Sequence, residues 1–495
     1  MTATQLDRTI APQLAESALL AAFEAHNLRS SPAALAAVFD ESGVIAWKAS
    51  GSPRNDGVPT SRDTVFRIAS MSKSFLAAAL LALRDEGALD LDRAVTDYVP
   101  GIRCVLNGNE ESVSLRQLIT NCSGLAEDNA WGDRMLGARR EDIAALAAEG
   151  LLLTAEPGEK YQYSNLGMSF VARAIETVSG QTLEQFVESR FLEPLGLSNT
   201  RYDVEAYVDG TSVAAGFRNF DDGETYIEEP FVGSGALACI GGLFSTVDDV
   251  ARWAAFVASA FTDRPQHTEV LSARSRREMQ RIATVIPDGE DRPDRQLEAV
   301  GYGMGLVIEH DRRFGRIVQH SGGLPGFSSH MRWHLATGLG VVAFGNSDRF
   351  EAWGLATRAL TETLTSADAP ADTVQPWAAT LEAAARIDRA LQAGSSFSEV
   401  GEVFAENVMR DLPPEVRERQ LSEALEQLGA VLPAQNELSA RARSSAMPAE
   451  LRWVIACERG NLECFIRLVG LSNPLVQTLT VAAQSQPLPK ENATI

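Results

Sequence analysis

Lysine is scarce in this 495-residue chain: the four present are Lys48, Lys73, Lys160 and Lys490. Lys and Arg total 44 against 66 Asp and Glu, a net charge of −22. No basic stripe can form to neutralise phosphates, so nucleic acid is excluded as a partner. Cysteine is also sparse. Cys104, Cys122, Cys239, Cys457 and Cys464 are odd in number, scattered and without a Cys-x-x-Cys pair, so reduced, mostly buried thiols are expected rather than a disulfide framework. No run of 18 apolar residues exists, which excludes a membrane-spanning helix. The first residues lack the positive and apolar regions of a secretory signal, and the apolar stretch 18–23 is flanked by Glu16 and Glu24. A soluble, cytoplasmic protein with no membrane partner is expected. Hydrophobic content of 45% with 22% charged residues is globular composition.

Cofactor and metal signals are missing as well. Gly301-Tyr-Gly-Met-Gly305 looks like a phosphate loop, but it opens into an expected strand instead of a helix. His330 and His334 share a strand face with Arg332 and have no visible third ligand, so packing is expected. No cofactor and no metal are expected.

The pattern along the chain changes character three times. Residues 12–26 read as a helix, and 34–39 and 44–49 as strands around the turn Asp40-Glu41-Ser42-Gly43. From 70 to about 255 the pattern is mainly helical, with long loops. Strand signals return at 303–308, 316–320, 328–335 and 339–345, followed by a helix over 353–364. Strands at both ends of residues 1–365 can pair into one antiparallel sheet (about 1–69 and 295–365) while 70–294 forms a helical subdomain. The cleft between two such parts is a usual ligand site. Residues 366–378 read as a linker. Beyond it, 379–495 reads as a small α+β domain: helices at 378–392, 397–408 and 415–430, then strands at 451–457, 463–469 and 475–483. It weakly resembles cystatin-like or NTF2-like modules. Capping the cleft, binding a partner and building a homo-oligomer are all open to it. The fold class is therefore α/β (α+β).

Three short elements carry chemistry. The first is Ser70-Met-Ser-Lys73, at the start of an Ala/Leu run without Gly or Pro, expected as a buried helix. Three residues apart, Ser70 and Lys73 share a helix face. A serine hydroxyl needs a neighbouring base to become nucleophilic. A buried lysine can release its proton, whereas arginine cannot. The second is Tyr163-Ser164-Asn165, a phenol and an amide able to point into one cleft. The third is His320-Ser321-Gly322-Gly323, ending an expected strand, where Gly322 would let a substrate approach the strand edge.

In this order the three elements resemble the serine β-lactamase and penicillin-binding protein superfamily, whose motifs are Ser-x-x-Lys, Tyr-x-Asn and Lys/His-x-Gly. They most resemble the branch that holds class C β-lactamases, D-aminopeptidases, DD-carboxypeptidases and β-lactamase-like esterases. Flanking segments match too: Leu118-Ile-Thr-Asn-Cys-Ser-Gly-Leu125, Gly241-Gly-Leu-Phe-Ser-Thr-Val-Asp-Asp249 and Gly322-Gly-Leu-Pro-Gly-Phe327. The resemblance covers about residues 30–365. It implies a β-lactamase-like antiparallel sheet flanked by helices. It also implies Ser70 as the nucleophile of an acyl-enzyme and Lys73 with Tyr163 as general base and acid, in an order left open. Asn165 would bind substrate and orient Lys73. The Ser70 and Gly323 N–H groups would form the oxyanion hole, and His320 and Gly322 would line the substrate site.

The third motif departs from the lactamase pattern, having His320 where those enzymes carry Lys. With a reference pKa near ~6.5, histidine weakens the fixed positive charge that binds a substrate carboxylate. Family members with His there include D-aminopeptidases, a DD-carboxypeptidase and esterases. A small-molecule amide (peptide-like, with a D-residue or free amine) or an ester is the expected substrate of a serine hydrolase. A β-lactamase or DD-carboxypeptidase, and a non-catalytic scaffold, are the rivals.

Overall fold

Residues 33–40, Ala-Ala-Leu-Ala-Ala-Val-Phe-Asp, form a strand buried along its whole length. Strand geometry sends alternate side chains to opposite faces. Leu35, Ala37 and Phe39 enter one hydrophobic cluster, whereas Ala34, Ala36 and Val38 enter another. A strand apolar on both faces must lie inside a layered structure. The computed structural model, which describes residues 10–484 apart from 222, 288–295, 370–373, 435 and 444–446, shows those layers.

Ala33–Asp40 lies within an eight-stranded sheet in which every neighbouring pair is antiparallel. The spatial order is Thr284–Val285, Leu297–Tyr302, Val307–Asp311, Gly315–Leu324, Phe327–His334, Gly340–Gly345, Ala33–Asp40 and Gly43–Gly51. The N-terminal hairpin docks on the last strand of the unit in register Ala34↔Gly345 through Phe39↔Gly340. Helices Pro12–Glu24 and Ala352–Ser366 share a cluster with one face. Ser72–Asp85 and Val247–Ala258 share the cluster on the other face. Between the two parts of the sheet the chain is mainly helical, with short strand pairs such as Cys104–Leu106 against Asn109–Glu111.

Two expectations about strands are corrected. Of the strand read over 303–308, residues 303–306 are a turn and 307–308 open the strand Val307–Asp311, which pairs with Leu297–Tyr302 on the other side of that turn. Gly305, at φ +68°, supplies the left-handed turn conformation that a strand interior disfavours. The strand expected to stop at His320 continues to Leu324, because Gly322 and Gly323 pair with Ser329 and Ser328.

The chain divides into two units, residues 1–371 and 372–495. The second contains helices Ala378–Ala393 and Pro414–Leu428 and a four-stranded antiparallel sheet, Ala442–Arg443, Glu450–Cys457, Gly460–Leu468 and Val476–Gln484. Its core holds Trp453, whose indole donates to Asp388 at 2.9 Å; Arg441 also pairs with Asp388, at 2.6 Å. Part of the expected linker, 370–373, and the first nine residues lie outside the described residues. Among the described residues no helix is long and apolar enough to cross a membrane, and no group of His, Cys, Asp or Glu is arranged to hold a metal.

Candidate active site

Ser70 sits on a 3-10 turn, Ala69–Met71, that leads directly into the helix Ser72–Asp85. It therefore precedes the α-helix expected to carry it. Ala69 is held at φ +48°, a left-handed conformation that costs an L-residue about 1–2 kcal/mol. The helix is buried from Ser72 to Leu83. Its serines are tolerated because Ser72 and Ser74 donate to the carbonyls of Ala69 and Met71, each at 2.7 Å.

Lys73 is fully buried. Its Nζ donates to Ser70 Oγ at 2.9 Å and to the Ile240 carbonyl at 3.2 Å. Burial pulls its pKa from 10.5 down to about 7, against the opposing pull of Cys239, Asp133 and Asp128. The amine can thus be neutral, and able to accept a proton, near neutral pH. Tyr163 lies over it, with Nζ 4.8 Å from the ring centroid. Burial pushes the phenol well above its ordinary value, and its interaction with Ser70 acts the other way. Tyr163 is therefore a proton donor at neutral pH.

Asn165 opens the helix Asn165–Ser179. Its amide donates to Asn129 Oδ1 at 3.0 Å, and its own Oδ1 is buried without a partner. The expectation that it orients Lys73 is corrected: the hydrogen bonds of Lys73 go to Ser70 and Ile240. The Asp128 carboxylate holds this helix start. It accepts from the N–H groups of Asn165 (2.6 Å) and Leu166 (2.9 Å) and from the Ser164 hydroxyl (3.0 Å). Negative charge at a helix N-terminus is favourable. Nothing in the local pattern marks Asp128, because it caps a helix 37 residues away.

His320 is buried on the strand Gly315–Leu324. Its Nδ1 lies 2.6 Å from the Ser321 carbonyl, so that nitrogen donates. Its Nε2 then accepts from the Tyr302 hydroxyl at 3.3 Å. Burial, together with the Lys73 charge, lowers its pKa to about 3. His320 is therefore neutral near physiological pH, further from a fixed cation than sequence reasoning placed it. Tyr302, its partner, was not singled out from the sequence.

Gly322 sets the distance between this strand and the nucleophile. A Cβ there would lie 2.2 Å from Ser329 Oγ and 2.3 Å from the Ile68 carbonyl. Those two atoms are themselves joined, Ser329 Oγ donating to Ile68 O at 2.7 Å. Gly323 faces open space. It lines a cavity of about 380 Å³ together with Asn129, Asp133, Phe327 and Ser328. The strand pairs with Val307–Asp311 only through residues 315–319, leaving that edge of 320–324 without a strand neighbour. His330 and His334 are buried and bonded to Ser321 (2.8 Å) and to Thr337 and the Phe314 carbonyl.

The structure thus brings Ser70, Lys73, Tyr163 and His320 together: Lys73 bonds Ser70, and the Tyr163 and His320 ring centroids are 6.4 Å apart. A penicillin-binding protein of Bacillus subtilis (strain 168) is 26% identical over 287 residues, covering 55% of this chain and 58% of its own length. The chain thus matches little more than half of that relative. The octameric penicillin-binding protein homologue from Pyrococcus abyssi superposes with a TM-score of 0.60 at 19% identity, over 95% of this chain and 100% of its own. A D-stereospecific amidohydrolase from Streptomyces sp. superposes with a TM-score of 0.54 at 21% identity, over 70% and 97%. A family model described as Beta-lactamase matches residues 7–364, well over half the sequence, and the chain belongs to that family.

Proposed function

We propose that this chain is a serine hydrolase that cleaves small amide or ester bonds through an acyl-enzyme on Ser70. The observation that carries the proposal is the 2.9 Å hydrogen bond from a fully buried Lys73 to the Ser70 hydroxyl. A lysine with its pKa near 7 is suited to act as base at neutral pH. Lys73 takes the Ser70 proton as Oγ bonds to the substrate carbonyl carbon. The main-chain N–H groups of Ser70 and Gly323 receive the developing oxyanion, the first aided by the helix start. Tyr163, protonated, delivers a proton to the leaving nitrogen or oxygen as its bond to the acyl carbon breaks. Lys73 passes the Ser70 proton back to Tyr163, and a water then hydrolyses the ester. Asn165 Oδ1, buried and unpartnered, supports a role as acceptor for a substrate N–H.

Peptide-like amides are favoured over β-lactams. A neutral His320 offers no cation to a β-lactam carboxylate. The name of the Streptomyces amidohydrolase supports the same choice. The octameric state given for the Pyrococcus homologue supports a homo-oligomer. Intact-mass measurement after exposure to a fluorophosphonate tests the acyl-enzyme. A single adduct on the wild type and none on Ser70→Ala is expected; a silent Ser70 points to a scaffold. A panel of p-nitroanilides, p-nitrophenyl esters and a chromogenic cephalosporin then ranks the substrates. Fast cephalosporin turnover would reverse the preference.

A further inference from the structure

Four charged side chains line the 380 Å³ cavity beside Gly323: Asp133, Arg134, Arg218 and Asp348. Three of them are neutralised. Arg134 pairs with Glu229 at 2.5 Å, and Arg218 pairs with Asp348 at 3.0 Å. Only the Asp133 side chain makes no hydrogen bond and no ion pair among these four, and its Oδ1 is buried without a partner. Asp133 itself is only partly buried, but a carboxylate oxygen buried without a partner is costly and is relieved by a cation.

Asp133 is held there by close packing. The preceding Gly132 packs on Asn165, where a Cβ would meet the Asn165 Cβ at 2.7 Å and Nδ2 at 2.9 Å. Only glycine allows the Asn129–Gly132 turn to approach so closely, and that approach carries Asp133 to the start of the Asn165 helix. Asp133 is near enough to Lys73 and Tyr163 to act on both electrostatically. An unpaired carboxylate and Gly323 therefore border one cavity, and that carboxylate interacts electrostatically with the nucleophile's own base.

We infer that Asp133 is the anchor for a positively charged amine on the substrate, so that the chain selects acyl groups with a free amino group next to the scissile carbonyl. The inference rests on the acyl-hydrolase reading and narrows it to unblocked aminoacyl amides or esters. A substrate ammonium supplies the missing partner. An N-acylated substrate would bring an uncharged group to the same carboxylate and leave it unpaired. Burial raises the Asp133 pKa to about 6, with Asp128 acting the same way and Lys73 and Arg134 opposing. The two arginines are engaged, so a substrate carboxylate finds no free cation in this space.

Affinity can be read without chemistry. In a Ser70→Ala background, calorimetry compares D-alanine p-nitroanilide with its N-acetyl form, with and without Asp133→Asn. The free amine should bind ~30-fold or more tightly than the blocked form, and Asp133→Asn should collapse that ratio to near unity. Asp133→Glu, which keeps the charge, should restore part of it. Equal binding of the two ligands, or equal loss of both in Asp133→Asn, would overturn the inference and leave Asp133 as an electrostatic neighbour of Lys73. Fluorophosphonate labelling of Ser70 in the wild type separately reports the acyl-enzyme, so failure of that reading and failure of the amine site give different results.

Discussion

The buried amine of Lys73 yields a quantitative prediction for both rate and stability. With a pKa of about 7, roughly one tenth of the amine is neutral at pH 6 and about one hundredth at pH 5. Acylation by an uncharged ester such as p-nitrophenyl acetate should therefore fall about 10-fold at pH 6 and ~100-fold at pH 5 below its plateau. An uncharged ester avoids titration of a substrate amine. His320, with its pKa near 3, stays neutral across this window. The same shift acts on folding. Unfolded Lys73 keeps its proton up to about 10.5 while the folded form releases it near 7, so the unfolded state binds more protons in between. Wild-type stability should rise with pH across that interval. The full penalty below pH 7 is about 5 kcal/mol, from a shift of roughly 3.5 units at ~1.36 kcal/mol each. Lys73→Met removes that penalty but forgoes two hydrogen bonds worth about 1 kcal/mol apiece. It should be inactive, yet more stable than wild type by about 3 kcal/mol at pH 6, with the difference shrinking as pH rises. Urea unfolding at pH 6 and pH 9 measures it. A stability difference independent of pH, or an ester rate flat down to pH 5, would refute the assignment of a deprotonated Lys73 as base.

Three further substitutions test the frame around the nucleophile. Gly322→Ala places a methyl 2.2–2.3 Å from Ser329 Oγ and Ile68 O, so the strand must move off the Ser70 turn; fluorophosphonate labelling should slow ~100-fold or more, and near-normal labelling would contradict the packing argument. Asp128→Ala removes three hydrogen bonds at the start of the Asn165 helix and should lower stability by about 2–4 kcal/mol in urea unfolding. Tyr302→Phe leaves the buried His320 Nε2 without its donor, which should cost about 1–3 kcal/mol of stability; an unchanged midpoint would mean that the bond carries no weight.

The elements legible in the sequence are those governed by short-range rules. The Ala/Leu run after Lys73 declares a buried helix, and the strand-like runs and turn chemistry of 33–51 declare a hairpin. Ser70 and Lys73 meet because three residues along a helical turn bring side chains onto one face. The turn at 303–306 was misread because an apolar, glycine-rich stretch satisfies strand and turn patterns alike until its partners are known.

What the sequence by itself determined is therefore local: the nucleophile and its base on one turn, and the strands able to pair. Only the tertiary structure decided which distant groups surround them. Asp128 caps a helix 37 residues on, Tyr302 donates to His320, and the Asp133 Oδ1 is left without a bonded partner in the cavity beside Gly323. Burial likewise decided the charge states: with an ordinary value of 10.5 for lysine and 6.5 for histidine, both groups would hold their protons to higher pH in water than here, where the values fall to about 7 and about 3. Desolvation of Lys73 and His320 drives both toward their neutral forms, and the degree of desolvation is a property of packing that no stretch of residues encodes alone.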